Sequence, residues 1–125
     1  MAAMDLPRSA STTVSTEVKC TEIQCTSYSD RHFVVVSQLG NFGTWILAWC
    51  EECADGKVLY QTKVLLGKRE DPVLHIYARQ IIETVCKTST DRKPLLLAIS
   101  LHKDAQDAKT MEQVLNGLFA INTWQ

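Results

Sequence analysis

The 125-residue sequence has no excess of either charge and no long apolar run. Lysine and arginine total 13 residues against 14 of aspartate and glutamate, so the formal net charge is -1. Because there is no basic field to attract polyanions, we expect no binding to nucleic acid. The longest apolar run, residues 45–50, is far shorter than the roughly 20 residues of a membrane-spanning helix. Nucleic acid and membrane are therefore not expected as partners.

The N-terminal segment lacks the apolar stretch of a secretion signal and is rich in serine and threonine instead. We predict a flexible tail over residues 1–16 and a single domain over residues 17–125, long enough to bury a core without a metal or a disulfide. Without an export signal, the expected location is the cytoplasm or the nucleus, where thiols stay reduced. The five cysteines, an odd number, also fit no closed set of disulfides.

Cys50 and Cys53 form a CxxC pair, a spacing typical of zinc and thiol sites. A tetrahedral zinc site needs four converging ligands, and the sequence has neither a second CxxC nor an HxxxH. Glu51 and Glu52 lie between the two cysteines and Asp55 follows them, and these negative charges oppose formation of a thiolate. A small thiol or zinc protein that uses Cys50 and Cys53 remains the alternative interpretation of the sequence.

Motifs of the common enzyme classes are absent as well. The sequence has no GxSxG, and residues 65–71, LLGKRED, lack the first glycine and the Ser or Thr of a phosphate-binding loop. Residues 40–43, GNFG, join two predicted strands, whereas a dinucleotide-binding loop opens a helix. They are expected to form a turn that needs positive φ at one or more positions. We expect a protein that is not an enzyme, without catalytic, cofactor-binding or metal-binding residues.

The apolar periodicity predicts an α+β fold in the order β-β-β-β-α-β-α. The first strand shows a slip in its alternation, which indicates a bulge or a break, and the next three read as an antiparallel meander. Strands are expected over residues 17–28, 32–39, 44–50, 57–66 and 94–101. The sheet should be mostly antiparallel, with five or six strands and both helices on one face.

Two helices are expected after the meander. The first starts at Asp71, a good N-cap, with Pro72 in the first helical position, and it ends near Lys87. The second runs from Asp104 or Asp107 to about residue 121, and Gly117 weakens the prediction of its far end.

The predicted strand over residues 44–50 is apolar on both faces. Successive side chains of a strand point to opposite sides, and here both sets are apolar: Trp45, Leu47 and Trp49 against Ile46, Ala48 and Cys50. Two helices can cover only one face of such a sheet. We therefore expect a partner subunit to cover the face that carries Trp45, Leu47 and Trp49. The alternative is that the first strand folds over and closes a small barrel.

Two segments resemble a known family, that of proteasome assembly chaperone 3. They are residues 32–45, HFVVVSQLGNFGTW, and residues 62–81, TKVLLGKREDPVLHIYARQI. Residues 94–101, PLLLAISL, are similar to a third, weaker block. The resemblance extends over about residues 17–124. It implies a small α+β domain that forms homodimers, or heterodimers with proteasome assembly chaperone 4.

The same resemblance implies a non-catalytic chaperone without a cofactor. Such a protein would bind alpha-type 20S proteasome subunits during alpha-ring formation and leave before the particle matures. Two charged segments are candidates for these contacts, because mobile charged loops can steer a partner and then release it. They comprise Glu51, Glu52 and Asp55 in one segment, and Lys68 and Arg69 in the other.

Overall fold

The computed structural model describes residues 8–15, 20–38, 43–67, 71–89, 92–102, 107–121 and 123–124. These residues form six strands and two helices. The elements are β1 (Arg8–Ser15), β2 (Cys20–Ser27), β3 (His32–Ser37), β4 (Thr44–Glu52), β5 (Val58–Leu66), α1 (Pro72–Thr88), β6 (Leu95–Ser100) and α2 (Ala108–Ala120). The α+β class, the mostly antiparallel sheet and the two helices are thus confirmed.

The N-terminal strand corrects the expectation of a flexible tail over residues 1–16. Residues Arg8–Ser15 form β1, which pairs antiparallel with β2 along its whole length. Ala10, Thr12 and Val14 are half-buried on one side of this strand. The signal is weak in the sequence because serine and threonine dominate, but the backbone ladder and Val14 hold the segment. Residues 1–7 and 16 lie outside the described residues.

The second strand also differs from its prediction, because it is neither broken nor bulged. All of its pairing with β1 and β3 is in one register. Thr21, Ile23 and Cys25 form its buried side. The alternation is weak in the sequence because a threonine, Thr21, occupies the first of these inward positions. Cys20 is exposed, so the apparent slip between Cys20 and Ile23 is not a break in the alternation.

The order of strands in the sheet is β1-β2-β3-β6-β4-β5. Of the predicted meander, the antiparallel pairing of β4 with β5 is confirmed, and the pairing of β3 with β4 is wrong. The last strand, β6, lies between β3, to which it is parallel, and β4, to which it is antiparallel. A strand that is apolar on both faces is best buried in the middle of a sheet, and LLLAIS has this composition. Among the described strands, β1 and β5 are the edges, so the sheet is open and the barrel alternative is not formed.

The two helices start where the sequence predicts. The Asp71 side chain accepts a hydrogen bond from the Val73 N–H at 3.2 Å, with proline first in α1. Asp107 caps α2 by accepting bonds from the Thr110 N–H at 3.2 Å and the Thr110 hydroxyl at 2.6 Å. Gly117 does not end α2: a Cβ at this position would collide with Val14, so glycine lets the helix lie close to β1.

The core lies between the helices and one face of the sheet. Tyr77, Ile81 and Ile82 of α1 and Leu118 of α2 are fully buried there. Trp124 closes one end of this layer, with its Nε1 donating to the Thr88 hydroxyl at 2.9 Å. The sheet contributes Ile23, Cys25, Val34, Val36, Ile46, Ala48, Val64, Leu95, Leu97 and Ile99. Among the residues that the structure describes, no helix is long and apolar enough to cross a membrane.

Of the predicted GNFG turn, only Gly43 falls within the described residues. Its φ of 59° is the positive value that the prediction requires at one or more positions. A Cβ here would also run into the carbonyl oxygen of Ile99. Glycine at this point lets the chain enter β4 directly against β6.

Candidate interaction surface

The side of the sheet opposite the helices, called the outer face below, carries a continuous set of apolar side chains. The strand register aligns them in two rows across the sheet. One row runs from β3 through β6 to β4 and consists of Phe33, Leu96 and Leu47. The other reaches β5 and consists of Val35, Ala98, Trp45 and Leu66. Trp49, two residues after Leu47, extends the outer face along β4. On β5, Leu59 lies opposite Glu51, which is two residues further along the same side of β4.

Two aromatic rings organise the centre of the outer face. Phe33 on β3 and Trp45 on β4 stack with ring centroids 5.6 Å apart and planes inclined by 24°. These two strands are separated by β6, so the rings meet above it, where the small side chain of Ala98 leaves room. Offset stacking of this kind adds about 0.5–1.5 kcal/mol to the effect of burial. The pair forms a rigid, flat apolar platform.

No described helix or strand covers the outer face. Leu66 is 65% exposed and Leu59 is 47% exposed. Phe33, Trp45, Leu47, Trp49 and Leu96 are half-buried, and Val35 and Ala98 between them are buried, at 7% and 0% exposure. Exposed apolar surface of this continuity is rare on a monomer and marks an interaction site.

Polar groups surround the apolar centre. On the β5 side, Gln61 lies opposite Trp49 and the exposed Lys63 lies opposite Leu47. On the β2 side, Gln24 lies opposite Val35. An apolar centre rich in aromatic residues within a polar rim is the usual anatomy of a protein–protein interface.

The predicted contact residues Glu51, Glu52 and Asp55 do not form one patch. Strand β4 extends to Glu52, two residues beyond the expected end, so Glu51 and Glu52 point to opposite sides. Glu51 lies at the rim of the outer face, where its Oε1 accepts a hydrogen bond from Trp49 Nε1 at 2.9 Å. Glu52 lies 3.6 Å from Arg92. Asp55, in the turn after β4, accepts a bond from the Lys57 N–H at 3.1 Å.

Lys68 and Arg69, the other predicted contacts, lie outside the described residues. The outer face contains all three residues predicted for the dimer face, Trp45, Leu47 and Trp49, as their alternation requires. Sequence reasoning did not add residues of the neighbouring strands to this site. The signal existed in their own alternation, but it could be used only once the strand order was known. The residues missed are Phe33, Leu59, Leu66 and Leu96.

Cys50 of the CxxC pair contacts a cysteine of α1. The Sγ of Cys50 lies 2.9 Å from the Sγ of Cys86 in α1, and Cys53 lies at the start of the turn, with its N–H donating to the Lys57 carbonyl at 2.7 Å. Burial, together with the hydrogen bond to Cys50, raises the pKa of Cys86 to about 12. Within the described residues, no group of three or more His, Cys, Asp or Glu side chains could hold a metal ion.

Comparison with known proteins decides the family. The family model described as proteasome assembly chaperone 3 matches residues 34–121, from within β3 to just beyond the end of α2. The chain belongs to the proteasome assembly chaperone 3 family. It is 34% identical over 97 residues to the proteasome assembly chaperone 3 of Bos taurus, covering 76% of this chain and 79% of that protein. It is 31% identical over 105 residues to the Homo sapiens protein, covering 80% and 85%.

The fold is also that of a solved structure. A chain from the crystal structure of a novel chaperone complex for yeast 20S proteasome assembly superposes with a TM-score of 0.70. The match covers 92% of this chain and 97% of the yeast complex's chain, at 16% sequence identity. At this identity the likeness shows the fold. It extends over nearly the whole chain and is therefore not confined to the family match over residues 34–121.

Proposed function

We propose that this protein is a non-catalytic chaperone of 20S proteasome assembly. It binds alpha-type subunits during formation of the alpha ring and leaves before the particle matures. Family membership supports the role, as do the mammalian relatives and the yeast complex, which are named for proteasome assembly. The observation that carries the mechanism is the uncovered apolar outer face, because it suits binding and offers no reactive group. We place this activity in the cytoplasm or the nucleus.

The outer face is proposed as the dimer interface. Burying one tryptophan, phenylalanine or leucine side chain stabilises a complex by roughly 1.5–3 kcal/mol, and the outer face presents several of them. A second sheet packed face to face would cover them all at once. The partner is a second copy of this chain or proteasome assembly chaperone 4, both of which the family assignment supports.

Capture from a cell extract tests the chaperone role directly. Full-length tagged protein is incubated with the extract, and the bound proteins are identified by mass spectrometry. We expect alpha-type proteasome subunits to be enriched over an untagged control. Capture without any alpha-type subunit would overturn the proposal.

The acidic end of β4 is the proposed site of subunit capture. Reversing both charges, Glu51→Lys with Glu52→Lys, should weaken capture roughly tenfold, equivalent to about 1.4 kcal/mol, because charges at a rim steer association. Glu112→Lys, a charge reversal at an exposed position of α2, is the matched control and should leave capture unchanged. If the double variant captures as much as the control, Glu51 and Glu52 are not contacts.

The alternative, a zinc protein built on Cys50 and Cys53, predicts one bound metal ion per chain. Elemental analysis of the purified protein measures this directly. Stoichiometric zinc would favour the alternative, and its removal by a chelator would then unfold or inactivate the protein. The contact that the structure gives Cys50 is with Cys86 instead.

A further inference from the structure

Two thiols from different elements face each other beside the core. Cys50 is near the end of β4, on the helix side of the sheet, and Cys86 is in the last turns of α1. Their sulfurs are 2.9 Å apart and both residues are half-buried. A disulfide bond is about 2.05 Å long, so the sulfurs need to approach by only about 0.9 Å to form one. Neither thiol has a role in the proposed chaperone function.

The two thiols are not equivalent. The Cys86 thiol donates its hydrogen to the Cys50 sulfur, and burial raises the pKa of Cys86 to about 12. The proton of this hydrogen bond therefore lies on Cys86, and the Cys50 sulfur is its acceptor. A thiolate that accepts a hydrogen bond is the attacking species in thiol chemistry. Arg92, bound to Glu52 at 3.6 Å, adds a positive charge close to this pair.

We propose that Cys50 and Cys86 form a dithiol site that oxidised glutathione converts into an internal disulfide linking β4 to α1. The Cys50 thiolate attacks one sulfur of oxidised glutathione, the glutathione disulfide breaks, and one reduced glutathione leaves with the proton that Cys50 lost. Cys86 then attacks the Cys50 sulfur of the mixed disulfide. The new bond between Cys50 and Cys86 forms as the second reduced glutathione departs with the Cys86 proton. Two electrons pass from the protein to oxidised glutathione.

Proximity allows Cys86 to act in the second step despite its raised pKa. A nucleophile held about 3 Å from its target has a very high effective concentration, so a small thiolate fraction suffices. Cys53 is the competing nucleophile within the CxxC motif. It lies in the turn after β4, where its N–H donates to the Lys57 carbonyl, whereas the Cys50 sulfur already lies 2.9 Å from that of Cys86. We therefore expect the motif's first cysteine to pair across the fold and not with its neighbour.

Peptide mapping of the oxidised protein tests this pairing. The full chain is equilibrated with oxidised and reduced glutathione, remaining thiols are alkylated, and the protein is digested with trypsin. Cys50 and Cys53 share the tryptic peptide 32–57, whereas Cys86 lies in the peptide 80–87. We expect the two peptides to be joined by one disulfide, with two of the five thiols lost. A disulfide confined to peptide 32–57, or no loss of thiols, would overturn the proposal.

Serine variants separate the steps. Cys53→Ser should form the same cross-link, and Cys20→Ser, which removes an exposed thiol far from the site, is the matched control. Cys86→Ser should stop at the mixed disulfide, so glutathione should accumulate on Cys50. Because Cys86→Ser alone could fail to fold, the map of the wild-type protein stands as an independent test. Formation of a disulfide by Cys50 at full yield in Cys86→Ser would show that another cysteine is its partner.

Stability gives a second readout. The bond closes a loop of residues 51–85, which restricts the unfolded chain, so the oxidised protein should unfold at a higher urea concentration than the reduced one. This difference should disappear in Cys86→Ser. Equal urea midpoints for oxidised and reduced wild-type protein would contradict a bond formed in the native geometry.

Discussion

At the scale of single residues, Tyr77 places a polar group without a partner in the described part of the core. Its side chain is fully buried, and its hydroxyl has no hydrogen-bond partner among the described residues. A buried polar group without a partner destabilises a fold by about 1–3 kcal/mol. We therefore expect Tyr77→Phe to raise the free energy of unfolding by about 1 kcal/mol, measured by urea unfolding at neutral pH. A variant less stable than the wild type would show that the hydroxyl is satisfied in solution.

The burial of Tyr77 also leads to a prediction about how the stability of the fold depends on pH. Burial, and secondarily the carboxylate of Asp107, raises the pKa of Tyr77 above its ordinary value of 10.0. The unfolded chain therefore releases this proton at lower pH than the folded chain, so stability is lost as pH rises above about 10. Tyr77→Phe removes this loss. The stability difference between variant and wild type should widen from neutral pH to above 10, and a constant difference would contradict the raised pKa.

At the scale of elements, the packing of α2 on β1 depends on Gly117. Glycine inside a helix is about 1 kcal/mol less favourable than alanine, so its presence here needs a reason. The reason is Val14, which occupies the place where a Cβ would lie. We expect Gly117→Ala to be at least about 1 kcal/mol more favourable in a Val14→Ala background than in the wild type. Urea unfolding of the four proteins measures this coupling, and additive effects would mean that α2 does not touch β1 there.

The elements also show which structural features the sequence could predict. Both helices were found because Asp71, Pro72 and Asp107 are local signals that act within one turn. The place of β6 between β3 and β4 could not be found in the same way, because it depends on contacts between distant parts of the chain. The double-sided apolar pattern of β6 indicated a central strand, but no local feature named its neighbours. Strand β1 was missed because its stability comes from pairing with β2 and from Val14 against α2.

At the scale of the whole molecule, the candidate surface was only partly predictable. The alternation of Trp45, Leu47 and Trp49 with a second apolar set was enough to predict a face that the helices leave uncovered. The extent of that face depends on the strand order, which brings Phe33 and Leu96 beside Leu47. The loop predicted to carry Glu51, Glu52 and Asp55 begins later than expected, because β4 extends to Glu52. Two of these residues belong to a strand, where consecutive side chains diverge, and not to a loop.

The final prediction concerns assembly through the outer face. Leu47 lies in its central row, next to Leu96 and opposite Lys63, so Leu47→Lys would bury a charge in the interface beside a like charge at its rim. We expect the dissociation constant of the dimer, with itself or with proteasome assembly chaperone 4, to rise at least roughly 100-fold, equivalent to about 2.8 kcal/mol. Sedimentation velocity measures this shift, and circular dichroism checks that the variant stays folded. Ile76→Lys is the matched control, since Ile76 is also an exposed apolar residue (44%) but lies on α1. If the Ile76 variant dissociates and the Leu47 variant does not, the dimer forms through the helices and the outer face needs another occupant.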